Sequence, residues 1–181
     1  DRPDIQHHFV IGLIDDHLRK LHYGYGYSCH VCLLRPYSRG TVSLASAKHD
    51  DAPLINPNFL NDSRDLETLI KGAKMTQNIL NTPPLKKYQK REIYGVHSNL
   101  TDKEWEQHIR NRADTIYHPV GTCKMGKDPL AVVNSSLKIR GLKNIRVADA
   151  SIMPTITSGN TNAPTIMIGE KCATMIMDVH E

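Results

Sequence analysis

Residues 162–177 constrain this chain more than any other stretch. They read as a helix beginning near Asn162, with Pro164 tolerated in its first turn. Ile166, Met167, Ile168, Cys172, Ala173, Met175, Ile176 and Met177 surround almost its whole circumference. A helix without a broad polar face is normally buried on several sides. In a chain of 181 residues, it is expected to lack some of those partners. The chain opens at Asp1 rather than at Met, which leads to the expectation of a cut or processed piece.

The length suits one globular domain with an appended segment, and a core that needs no disulfide or metal staple. The formal charge is +4, from 23 basic and 19 acidic residues. The basic residues are scattered, without a Lys/Arg run, so a nucleic-acid partner is not expected. No apolar run reaches the ~18 residues of a membrane span. Cys29, Cys32, Cys123 and Cys172 have no disulfide-framework spacing. They read as reduced thiols of a cytosolic protein, with peripheral attachment to the inner membrane left open.

Residues 5–14 and 30–34 are short apolar runs, expected as strands. Arg35 to Gly40 has turn chemistry, and 41–44 alternates as a half-buried strand does. Two strands joined by a tight connection are therefore expected there. Residues 52–61 carry Pro and Asn at loop density. A helix follows, with Asp62 as N-cap and Leu66, Leu69, Ile70, Ala73, Gln77 and Leu80 on one face until Pro83-Pro84. A second helix spans 101–113, opened by a Thr101/Glu104 capping box, with Trp105 and Ile109 inward. Residues 144–148 read as a buried strand.

Two segments carry chemistry. Tyr117 to Gly126 places His118 in a loop stiffened by Pro and Gly. Arg146 to Lys171 gives a strand, the acidic Asp149, a loop, and a helix start lined with Asn and Thr. Free N–H groups and the helix dipole favour a polar acceptor at such a start. Taken singly, a loop histidine and an N-cap are more often structural than functional.

Taken in order, however, YHPVGTCKMG and RVADASIMPTITSGNTNAPTIMIGEK are similar to the C-terminal signature of the glucose-methanol-choline (GMC) oxidoreductases. LLRPYSRGTVSLAS and APLINPNFLNDSRDLETLIKGAK resemble the same family's substrate domain. The resemblance covers nearly the whole chain and is nearest to bacterial choline-dehydrogenase-like alcohol dehydrogenases. It implies a flavoenzyme that oxidises the CH–OH group of choline or another primary alcohol with FAD. His118 falls on the family's catalytic histidine. Asn162 falls on a second active-site position that is His in some members and Asn in others. Asp149 and Ala150 fall on the segment along the flavin. Thr161, Asn162, Pro164 and Thr165 fall on the turn and helix start near the flavin ring. The implied fold is α+β, a mainly antiparallel sheet backed by helices. Residues 1–140 are expected as substrate-binding domain, and 141–181 as a strand-loop-helix segment returning to an FAD-binding half that lies outside this sequence. Without that half the chain is expected to bind FAD poorly and to be inactive.

The residue types suit that chemistry. Oxidising an alcohol removes a proton from oxygen and a hydride from carbon, the hydride passing to flavin N5. Histidine, with an unperturbed pKa of ~6.5, suits the proton. Asn162 cannot take a proton, but can orient the alcohol and steady alkoxide charge.

Other features read more plainly. Gly24-x-Gly26 begins a dinucleotide fingerprint, but Cys29 stands at the third glycine position and a strand-like run follows. Cys29-His30-Val31-Cys32 lies on an expected strand, where side chains three apart point to opposite faces and cannot share a metal. The histidines at 7, 8, 17, 22, 30, 49, 97, 108 and 180 have no mutual ligand spacing; a few between 7 and 30 are candidates for a substrate-pocket wall. Two readings of other classes remain: a His/Cys metal-binding module, and a non-catalytic interaction domain docking through its apolar tail.

Overall fold

The computed structural model describes residues 2–96 and 99–178. His97 and His180 lie outside the described residues, as does the side chain of His17. The chain forms two compact units, Asp1–Leu33 with Phe59–Asp114, and Leu34–Asn58 with Thr115–Glu181.

In the first unit, strands β1 (Ile5–Val10), β2 (Ile14–Asp15), β3 (Lys20–Leu21) and β4 (Ser28–Leu33) make two antiparallel pairs. β1 pairs with β4 in a register that sets Ile5 against Leu33 and His8 against His30. β2 and β3 form a small hairpin. Helix α1 (Ser63–Leu80) crosses the β1–β4 pair at Gly72. A Cβ there would lie 2.8 Å from Val31 Cγ2 and 3.2 Å from Ile5 Cδ1, so the backbone approach requires a bare residue. Asp62 caps α1 as expected, accepting from the Arg64 N–H at 3.1 Å. Pro83-Pro84 ends the helical run and also opens a further turn, α2 (Pro83–Lys86). Helix α3 (Asp102–Arg112) has the expected capping box, and buries Trp105 and Ile109.

Asp15 is a buried carboxylate of this unit with two side-chain partners, while the buried His7 Nε2 has none among the described residues. The Asp15 carboxylate accepts from His22 Nε2 at 2.9 Å and from Arg112 Nη1 at 2.8 Å. These partners, the histidine first, hold its pKa below the usual carboxylate value. Burial lowers the pKa of His108 and raises those of Cys29 and Cys32. The two cysteines stand opposite Phe9 and Gln6 on β4, pointing to opposite faces.

In the second unit, β5 (Thr41–Ser43) pairs antiparallel with β6 (Leu54–Asn56), and helix α4 (Asn162–Met177) closes the chain. Between them runs irregular backbone around one core of Val133, Leu137, Ile152, Met153, Ile168 and Cys172. Val133 is wholly buried.

The α+β class holds, with helices and small antiparallel sheets. Its details differ from the sequence reading in four places. The single sheet over 5–60 is three separate two-stranded pairs. The runs 30–34 and 41–44 do not pair with each other: the first joins β1, the second joins β6. β6 itself lies inside the stretch read as loop, where Pro53 and Pro57 conceal a three-residue strand. Finally, residues 144–148 are not a strand. Asn144 has φ 60°, which breaks an extended run, and only Arg146 bridges, to Lys138.

Two outcomes test this packing. Gly72→Leu is expected to lower stability by about 1–3 kcal/mol through overpacking against Val31 and Ile5, seen as a lower denaturant midpoint; an unchanged midpoint contradicts the contact. Asp62, gripped by the Arg64 guanidinium, has its pKa drawn from 3.8 to about 2. A depressed carboxyl stabilises above its unfolded value, and that contribution is lost as pH falls toward the folded one. Protection of the first turn of α1, taken as amide exchange relative to the intrinsic rate at each pH, should therefore fall between pH 3.8 and about 2, and Asp62→Asn should abolish that dependence.

Candidate functional site

The expected catalytic histidine lies in the second unit, in the backbone entering the loop 119–126. Tyr117 precedes it with φ 64°, a left-handed kink, and donates its N–H to Thr115 Oγ1 at 2.9 Å. Pro119 follows and bars a helix. Gly121, at φ 90°, lies where a Cβ would be 3.3 Å from the Met153 carbonyl oxygen. The loop is then stitched to the turn at Ala150–Ile152 by two backbone bonds. Cys123 N–H donates to Ser151 C=O at 3.0 Å, and Met125 N–H to Ile152 C=O at 2.8 Å. Val120 and Met125 pack on the core from the loop, and Ile152 and Met153 belong to it. Burial of this apolar set fixes the loop against the turn.

Asp149 caps that turn. Its Oδ1 accepts from the Ser151 N–H at 2.7 Å while the residue itself stays exposed. Ala150 is half-buried against the core. The chain then kinks at Ser158, φ 66°, whose hydroxyl accepts from Arg35 Nη1 at 3.2 Å. The RPYSRG stretch thus reaches the loop that leads into α4.

At the start of α4 the half-buried imidazole of His118 is engaged at both nitrogens. Asn160 Nδ2 lies 3.1 Å from Nε2, and Thr161 Oγ1 lies 2.9 Å from Nδ1. An amide nitrogen can only donate, so this contact is a hydrogen bond only in the tautomer whose Nε2 accepts. Thr161 is buried, 7% exposed, and occupies the N-cap position of α4, yet its side chain makes no cap bond. Forgoing such a cap costs a helix about 1 kcal/mol. Asn162 is the first residue of α4 and is exposed. Pro164 and Thr165 are half-buried in the first turn, and Thr165 Oγ1 donates to the Thr161 carbonyl at 2.6 Å.

The structure therefore brings an imidazole and a carboxamide together, and the carboxamide is that of Asn160. Sequence reading passed over this residue. The only signal was a pair of asparagines one residue apart, Asn160 and Asn162, ahead of a helix. Which of them faces back along the chain is decided by the kink at Ser158 and the helix start.

The metal-binding reading gains no site: among the described residues, no group of three or more His, Cys, Asp or Glu side chains could hold a metal ion. Among the same residues, no helix is long and apolar enough to cross a membrane.

The chain is similar to known proteins along most of its length. Residues 36–169 match the family described as GMC oxidoreductase. The chain is 52% identical over 177 residues to an alcohol dehydrogenase [acceptor] of Pseudomonas putida, covering 98% of this chain and 32% of that protein. It is 42% identical over 176 residues to the mitochondrial choline dehydrogenase of Mus musculus, covering 96% of this chain and 30% of that one. Among solved structures, a formate oxidase superposes with a TM-score of 0.89 at 32% identity, over 98% of this chain and 32% of the other. Pyridoxine 4-oxidase from Mesorbium loti superposes with a TM-score of 0.87 at 30% identity, over 100% of this chain and 35% of the other. The chain thus spans about a third of the length of the curated relatives it matches.

The loop geometry is testable by itself. Gly121→Ala forces a left-handed Ala against the Met153 carbonyl and should cost about 1–3 kcal/mol; an unshifted thermal midpoint contradicts the strained turn.

Proposed function

The chain belongs to the GMC oxidoreductase family, and on that premise we propose that the intact protein oxidises the CH–OH group of an alcohol, with FAD as its cofactor and His118 as its base. The observation that carries this reading is the contact of His118 Nε2 with the Asn160 amide, 3.1 Å. A basic nitrogen and a hydrogen-bond donor side by side are what an alcohol oxygen needs as it loses its proton. Relatives named alcohol dehydrogenase and choline dehydrogenase support the substrate class.

The protein side of the reaction follows from these residues. A substrate hydroxyl that displaces Asn160 from Nε2 donates its proton there. The freed Asn160 amide donates to the alcohol oxygen, which orients the carbinol carbon and steadies the developing negative charge. The positioning role that the family resemblance gave to Asn162 is here proposed for Asn160. Bound FAD supplies the acceptor for the hydride that leaves the carbinol carbon.

The residues at the α4 start fit that cofactor. Because Thr161 does not cap the helix, the N–H groups of Asn162 and Ala163 receive nothing from its side chain. They sit at the positive end of a 16-residue helix. Such donors suit the carbonyl-rich edge of a flavin. Asp149, Ala150, Thr161, Asn162, Pro164 and Thr165 are the residues we assign to hold it. The pyrophosphate site belongs to the remaining two-thirds of the protein, and residues 141–181 are read as the segment that returns to it. Isolated, this chain should show no flavin absorbance at stoichiometric intensity.

Two variants of the full-length enzyme test the assignment. His118→Ala should lower turnover of alcohol by about 10²–10⁴-fold with flavin absorbance retained. Asn160→Ala should cost far more turnover than Asn162→Ala. Full activity in the histidine variant sinks the reading, and the reverse order of the two asparagines restores the assignment to Asn162.

A further inference from the structure

We propose that Thr161 is a positioning residue that selects the tautomer of His118, at the expense of capping its own helix. The proposal rests on His118 being the base, and deepens that reading. In water a neutral histidine side chain carries its proton mainly on Nε2. That form is useless here, because Nε2 faces Asn160 and has to accept. The protein must therefore move the proton to Nδ1 and keep it there.

Two contacts do this from opposite edges of the ring. Asn160 Nδ2 donates toward Nε2 at 3.1 Å. Thr161 Oγ1 lies 2.9 Å from Nδ1 and accepts the Nδ1–H. The threonine is well placed for the task. It is 7% exposed, so little water competes for that proton. Its Cα is fixed at the α4 N-cap, and the Thr161 carbonyl accepts from both the N–H and the hydroxyl of Thr165, at 3.0 and 2.6 Å. The helix start is also uncapped, with Thr161 itself in helical backbone at φ −91° and ψ −3°. An N-cap threonine ordinarily turns its oxygen onto the helix N–H groups, and this one serves the imidazole instead.

The assignment separates Thr161 from an ordinary structural residue. Since its hydroxyl does not cap α4, Thr161→Val keeps the shape and leaves the helix bonds intact. What it removes is the acceptor for Nδ1–H. Losing one neutral hydrogen bond should move the tautomer ratio toward Nε2–H by about three- to tenfold. Thr161→Ser keeps the acceptor.

The experiment uses the full-length, FAD-loaded protein labelled with ¹⁵N-histidine. Nitrogen resonances of His118, assigned by their loss in His118→Ala, report which ring nitrogen bears the proton without reference to turnover. The wild type should show a protonated Nδ1 and a bare Nε2. Thr161→Val should shift the population toward Nε2–H and lower kcat for alcohol by about three- to tenfold, with KM little changed; Thr161→Ser should restore both. A wild type protonated on Nε2, or a valine variant with an unaltered tautomer, overturns the proposal. The wild-type spectrum decides even where the valine variant does not fold. A tautomer that moves as expected while His118→Ala keeps full turnover leaves Thr161 as a positioner and removes His118 as base, so the two ideas fail separately.

Discussion

Two backbone hydrogen bonds hold the candidate site together, Cys123 N–H to Ser151 C=O and Met125 N–H to Ile152 C=O. Without them the His118 loop and the approach to α4 would be neighbouring irregular strands with no shared register. Their net worth as bonds is modest, about 1 kcal/mol each. Their force comes from what they enclose: Ile152 and Met153 lie within the core around Val133, and Val120 and Met125 pack on it. Opening the ladder would expose that apolar set. The cost of misplacing His118 is thus the cost of disturbing a core, not the cost of two bonds.

The helix caps show where local rules are obeyed and where they are set aside. In the first unit, Asp62 and Thr101 both serve their own helices, with Glu104 completing a box at Thr101. In the second unit, Thr161 holds the N-cap position in helical rather than extended backbone, and its hydroxyl meets an imidazole. Tyr117 and Ser158, on either side of the same contact, take left-handed backbone that non-glycine residues adopt only at a cost. Left-handed non-glycine backbone also occurs away from this contact, at Asp16, Leu18, Asn58, Leu60, Leu137 and Asn144, so what sets the place apart is the pairing of two such kinks with the uncapped helix start.

The sequence showed the helices and their caps because those signals are local. Asp62, the Thr101/Glu104 box and Pro83-Pro84 each act within a few residues, and each appears where expected. Strand partners were less legible. Nothing in 41–44 says that it pairs with a three-residue strand hidden between Pro53 and Pro57. The apolar run at 144–148 resembled a strand because side-chain pattern is blind to the backbone, and Asn144 turns the wrong way. At the site, Tyr-His-Pro marked His118 by residue type. Choosing between Asn160 and Asn162 required the direction in which a loop delivers a side chain, which composition does not encode.

Helix α4 links the site to the rest of the protein. Ile168 and Cys172, four residues apart, form the stripe buried on the unit's own core, joined by Met175. At about 3.6 residues per turn, Ile166 and Met177 fall on the opposite side, and they are 59% and 62% exposed. One apolar stripe is thus satisfied within this unit and another is left open. The same helix begins next to the residues that contact His118 and bares an apolar face along its length. The family relatives are about three times as long as this chain. Since the buried stripe already anchors the helix, covering the second face is not needed to place Thr161. Covering it would instead withdraw the apolar surface of Ile166 and Met177 from water.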